Sequence, residues 1–197
     1  MNLLIEKLPK TVWIGGAEVP INWGFRTSVK FEILMQSDVE DKDKFLKGLQ
    51  LYYGDDLPEN INGAIEQMLW FYQGGDHPET SKKGAQSRGN GKQAYSFEYD
   101  DDYLYAAFLD QYGIDLNEIE DLHWWKFRAL MKSLRKDMSI VEIMGYRTVK
   151  IDSKMNKEQQ KFYADMQRIY EIPMKKSKQL EAIEEALLKG ESIEGLL

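Results

Sequence analysis

Chemistry in this chain must be built from two histidines, 33 acidic residues and no cysteine. Without cysteine there is no disulfide framework, no thiolate zinc site and no thiol nucleophile. His77 lies in a polar stretch beside Pro78, and His123 opens an apolar segment next to Trp124. A hydrolytic triad needs a nucleophile, a base and an orienting acid brought together, and neither a Gly-x-Ser-x-Gly elbow nor any comparable marker accompanies these histidines. Gly89-Asn90-Gly91-Lys92-Gln93-Ala94 has the loose glycine spacing of a dinucleotide fingerprint. That motif works where a buried strand feeds a helix, so that backbone N–H groups meet a pyrophosphate, but here the flanks are polar. A Walker loop fails as well, because Asn90-Gly91 follows the Gly84 and Gly89 pair where Lys-Ser/Thr is required. Asp38, Glu40, Asp41 and Asp43 lack the sixth-position glycine and distal glutamate of a calcium loop. Asp100-Asp101-Asp102 has no histidine at ligand spacing, so both acidic runs read as helix starts. The expectation is a protein without catalytic residues, cofactor or metal.

The remaining chemistry is charge beside aromatics. His123-Trp124-Trp125-Lys126-Phe127-Arg128 opens a run to Lys136 that carries five basic residues and no acid. Tyr95–Asp121, just before it, carries nine acids and no Lys or Arg. One reading makes this run a nucleic-acid surface, with rings stacking on bases and cations on phosphates. The reading preferred here puts the aromatics in the core and turns the cations toward the acidic neighbour.

These residues sit in a chain of 197 residues with 43% hydrophobic and 12% aromatic content, enough to build a core. The net charge of −7 argues against nucleic acid as the main partner. Residues 148–197 hold nine basic and nine acidic side chains, so the whole imbalance lies in residues 1–147. No run of eighteen apolar residues is present to span a membrane, and Met1–Lys10 lacks the pattern of a signal peptide. A cytoplasmic protein is expected.

The pattern of apolar residues predicts a mainly α fold: a helical body with a small N-terminal β-hairpin and a C-terminal helical extension. Thr11–Ile14 and Glu18–Ile21 flank Gly15-Gly16, which supplies the positive φ angles of a tight turn. Pro20 keeps its strand at an edge. Helical stripes follow at Phe25, Val29, Ile33 and Met35; at Phe45, Leu46, Leu49 and Tyr53; and, from a start at Pro58, at Ile61, Ile65, Met68, Leu69 and Tyr72. Residues 74–94 are polar and read as a mobile loop. A helix from Asp100 carries Tyr105, Phe108, Leu109 and Tyr112 and stops at Gly113. The next, Leu122–Lys136, buries Trp124, Phe127, Met131 and Leu134. Ser139 caps a short helix with Ile140, Ile143 and Met144, closed by Gly145. Beyond residue 147 two amphipathic helices are predicted, Asn156–Tyr170 and Lys176–Lys189, separated near Pro173. The division is therefore a body over 1–147 and an extension over 148–197.

At the central segment the sequence resembles the bacteriophage gene-product-fifteen family. The resemblance rests on Tyr95–Phe108, on Gln111–Leu116, on Leu122–Leu130 with its His123, Trp124, Trp125, Phe127 and Arg128, and on Ile143–Arg147 with its Gly145, Tyr146 and Arg147. Ile21-Asn22, Phe25-Arg26 and Phe31-Glu32 add to it. It covers most of residues 1–150. It implies a tail-morphogenesis protein of a siphophage or prophage, similar to tail assembly chaperones. Such a protein coats the tape-measure protein, keeps it soluble and recruits the major tail protein. The alternatives are a permanent component of the tail or neck and a small nucleic-acid-binding phage regulator.

The extension is the expected association element, for the tape-measure protein or for further copies in a homo-oligomer. Phe162, Met166 and Ile169 form one narrow stripe, and Leu180, Ile183 and Leu187 a second. Packing of these helices back on the body is the alternative.

Overall fold

A computed structural model describes residues 2–75 and 92–173. Within them lie two strands and seven helices. Strands β1 (Thr11–Ile14) and β2 (Ala17–Pro20) pair antiparallel, Thr11 facing Pro20 and Ile14 facing Ala17. The turn between them holds Gly15 and Gly16 at φ 59° and 85°, the left-handed region that glycine reaches without steric cost. Val12 and Ile14 point to the core while Trp13 points out, as period-two alternation requires.

Helix α1 (Phe25–Met35) packs on α2 (Asp41–Tyr53) and on α5 (Trp124–Lys132); α2 in turn packs on α3 (Ile61–Tyr72), which carries the hairpin. Helix α4 (Asp101–Tyr112) packs on α6 (Ser139–Thr148), and α6 on α7 (Lys157–Ile169). A column of rings joins the two groups. Phe127 stacks on Phe25 with centroids 5.0 Å apart and on Phe108 at 4.9 Å. The mainly α class with an N-terminal hairpin is thus the fold of the chain.

Several expected faces are rotated. In α2 the buried residues are Gly48, Leu49 and Tyr52, and Phe45 and Leu46 are exposed. A Cβ on Gly48 would stand 2.9 Å from the Phe31 ring, so the bare glycine is where α1 closes on α2. In α3 and α4 the inward residues are Ala64, Met68 and Phe71, then Leu104, Ala107 and Phe108; Ile61 and Leu109 are exposed. Small residues mark the close contacts, which a count of large apolar positions passes over.

Some ends also differ. Helix α3 begins at Ile61 with Asn60 as cap, its side chain accepting the Gly63 N–H, and Pro58 lies outside it. Helix α5 starts and stops inside the expected Leu122–Lys136, with His123 as N-cap. Met131 and Leu134 are partly buried. Helix α6 is capped by Met138 rather than Ser139 and continues through Gly145 to Thr148. Gly113 ends α4 in the left-handed conformation, as expected. Asn156 and Gln159 form a capping box at the start of α7. Most of the 74–94 stretch, and the second extension helix with Leu180, Ile183 and Leu187, lie outside the described residues.

Candidate interaction surface

His123 is held by both ring nitrogens. Nδ1 accepts the Trp125 N–H at 3.0 Å, capping α5, which leaves the proton on Nε2 to be donated to the Pro9 carbonyl at 2.9 Å. Burial pushes its pKa below the usual histidine value; Lys126 and Lys10 add to that, and the Pro9 bond opposes it. The next two residues bond in parallel. Trp124 Nε1 donates to the Tyr72 carbonyl at 2.8 Å and Trp125 Nε1 to the Phe71 carbonyl at 2.7 Å. The Phe71 carbonyl also accepts the Gly74 N–H at 3.0 Å, so the two indoles and the Gly74 turn together cap the end of α3.

Trp124, Trp125 and Phe127 are 3%, 3% and 2% exposed. The core reading of these rings holds, and none offers a face to a nucleic-acid base. The cations divide. Arg135 does reach the acidic segment, pairing with Asp110 at 2.8 Å. Arg128 instead lies against the Gly74 turn and above Trp124, and Lys126 lines a cavity beside Trp23 and His123.

Beneath α1 a second polar cluster ties elements together. The Tyr72 hydroxyl donates to Glu32 at 2.7 Å, and Tyr95 also bonds this carboxyl. Burial raises the Glu32 pKa above the usual carboxylate range, while the two phenols and Arg128 oppose that rise. Arg26 donates to the carbonyls of Ile119, Leu116 and Asn117, and Asn22 to that of Leu51.

Arg147 is the buried charge of α6. Its guanidinium meets both oxygens of Asp100, at 2.6 and 2.8 Å, and also donates to the carbonyls of Ala94 and Tyr170. Tyr170 closes the far end of α7, so this arginine fastens α4, α6 and α7 to one another. Gln167 adds a bond to the Val149 carbonyl, and Tyr146 lies against Phe162 and Tyr170. Gly145 is exposed with open space around its Cα.

Helix α7 is thereby docked on the body, yet part of its stripe remains outside. Phe162 is 47% exposed and Ile169 61%, with Met166 half-buried between them. Among the described residues no group of three or more His, Asp or Glu could hold a metal ion, and no helix is long and apolar enough to cross a membrane.

The model of the bacteriophage Gp15 protein family matches residues 4–172. The chain belongs to that family. No match is found among curated proteins or among solved structures. Several residues that carry the Gp15 resemblance, among them His123, Trp124, Trp125, Phe127 and Arg147, make long-range contacts inside the fold. Sequence reasoning passed over the Asp100–Arg147 pair as an ion pair. The signal was available: Ile140, Ile143 and Arg147 share one face of α6, and an arginine on an apolar face requires a buried acid.

Proposed function

We propose that this protein is a non-enzymatic binding protein of phage tail assembly, acting in the bacterial cytoplasm. In this reading it is a tail assembly chaperone: it keeps the tape-measure protein soluble and helps to recruit the major tail protein. Membership of the Gp15 family supports the phage setting. The observation that carries the binding role is α7, fixed to the body by Arg147 and Gln167 with Phe162 and Ile169 turned outward. An apolar stripe held rigid and half in water gains free energy when a client helix covers it, at about 25 cal/mol per Å² removed from water. The extension then serves association with the client and with further copies.

Mass spectrometry of purified virions tests this against the second reading, a permanent component of the tail or neck. A chaperone is absent from finished particles. A fixed copy number per particle makes the protein structural. The nucleic-acid regulator loses support from the burial of Trp124, Trp125 and Phe127, which removes the stacking platform it needs.

A further inference from the structure

Phe162 and Ile169 are 47% and 61% exposed on a helix that is otherwise fastened to the body. With Met166 half-buried between them, they leave one edge of α7 apolar and in water. The chain turns away at the end of this helix. Arg147 takes the Tyr170 carbonyl, and Glu171, Ile172 and Pro173 lie along a cavity that Gln36 and Gln93 also line. Pro173 has no N–H with which to continue a helix.

The part of the chain that follows matches the uncovered edge. Beyond Pro173, outside the described residues, the sequence predicts a helix over Lys176–Lys189 with its own stripe of Leu180, Ile183 and Leu187. Its 14 residues compare with the 13 of α7, about 20 Å each at the helical rise. Six residues, 170–175, join the two. A connection that short makes consecutive helices antiparallel neighbours. Charge favours the same direction. In α7, residues 157–161 carry two lysines and one glutamate, and residues 165–171 carry two acids and one arginine. In the following segment, residues 175–178 carry three lysines and residues 181–185 three glutamates. Antiparallel packing sets those lysines beside the acidic end of α7 and those glutamates beside its basic end.

We infer that the helix over 176–189 folds back on α7 of its own chain and covers Phe162 and Ile169 until a client helix displaces it. The tether selects this occupant over a second copy. A short linker holds the segment near α7 at an effective concentration of about 1 mM, so even a narrow stripe is filled in cis first. A client then gains access only to the fraction of chains in which the segment has left. This regulation rests on the client-binding reading of α7, whereas the fold-back contact is tested on the protein alone.

The chain has no cysteine, so engineered pairs report the contact without background. In the full chain, Glu158→Cys at the exposed start of α7 is combined with Glu184→Cys or with Ser177→Cys. Antiparallel docking brings residue 184 close to residue 158 and holds residue 177 about 16 Å away along the axis, beyond the reach of a disulfide. A tether without a docked face closes the two pairs at similar rates. The pair with Glu184→Cys is expected to form its intramolecular disulfide about tenfold faster or more, and Phe162→Gln with Ile169→Asp to remove that advantage. Equal rates, an advantage that survives those substitutions, or disulfides formed only between chains overturn the inference. Leu180→Asp with Ile183→Asp reads the regulation. It uncovers α7, so pull-down of the tape-measure protein should strengthen by about tenfold. Weaker capture would make the segment part of the client face and overturn the regulation. A disulfide advantage without capture by either chain would remove the client reading and leave the fold-back contact standing.

Discussion

At the residue scale, the side chains singled out for their chemistry spend it inside the fold. His123 has both nitrogens bonded, and burial favours the neutral ring. Its folded pKa lies below the unfolded value of 6.5, so the folded chain binds fewer protons there. The stability it contributes is complete above that value, begins to be lost as the pH falls below it, and is gone once the folded pKa is passed. The melting temperature is therefore expected to drop as the pH falls below 6.5. His123→Asn keeps an acceptor for the Trp125 N–H and should flatten that slope, read by melting both proteins across the range. An unchanged slope would place the titration elsewhere. Glu32 acts in the opposite sense: its pKa is raised, so its contribution is lost as the pH rises through the folded value. Arg147→Met leaves Asp100 buried without its partner and should cost about 3–5 kcal/mol in chemical denaturation. Trp124→Ala should cost a similar amount, about 3–5 kcal/mol, by removing a core ring together with a helix cap. A Trp124 variant that keeps its melting temperature would contradict the structural account of the motif.

At the element scale, the order and type of the helices and the hairpin were legible because each rests on local chemistry. Gly15-Gly16 permits the turn, Gly113 stops α4, and acids open α2 and α4. Helix faces were less legible, because contact depends on small residues that carry no apolar signal. Gly48 is the clearest case. On an exposed helix, glycine to alanine stabilises by about 0.5–1 kcal/mol. Here the new methyl would meet the Phe31 ring at 2.9 Å, so Gly48→Ala is expected to destabilise, by about 1–3 kcal/mol in a denaturant titration. Stabilisation by this substitution would mean that α1 and α2 are less tightly closed than described. The site was half legible for a related reason. Periodicity picked out Trp124 and Phe127 as core, but the carbonyl that Trp124 caps is 52 residues away, a pairing set only by the tertiary fold. The stripe of α7 was visible from its spacing, while its fastening through Arg147 was not.

At the scale of the whole molecule, α7 is both part of the body and the proposed binding face. Truncation after Lys150 therefore mixes two effects, since it removes the stripe and also the Tyr170 carbonyl that Arg147 bonds. Phe162→Gln with Ile169→Asp separates them. Ile169 is mostly in water, whereas Phe162 is about half covered and lies against Tyr146, so the pair is expected to cost on the order of 1 kcal/mol in a denaturant titration and to leave the fold intact. Client binding should be lost. The most direct test of the account is co-expression with the tape-measure protein of the same gene cluster, followed by pull-down from the soluble fraction. The account predicts a stable complex and a tape-measure protein that is soluble only in the presence of this chain, with both effects abolished by the double substitution on α7. A tape-measure protein that stays insoluble and unbound beside the folded wild-type chain would contradict it.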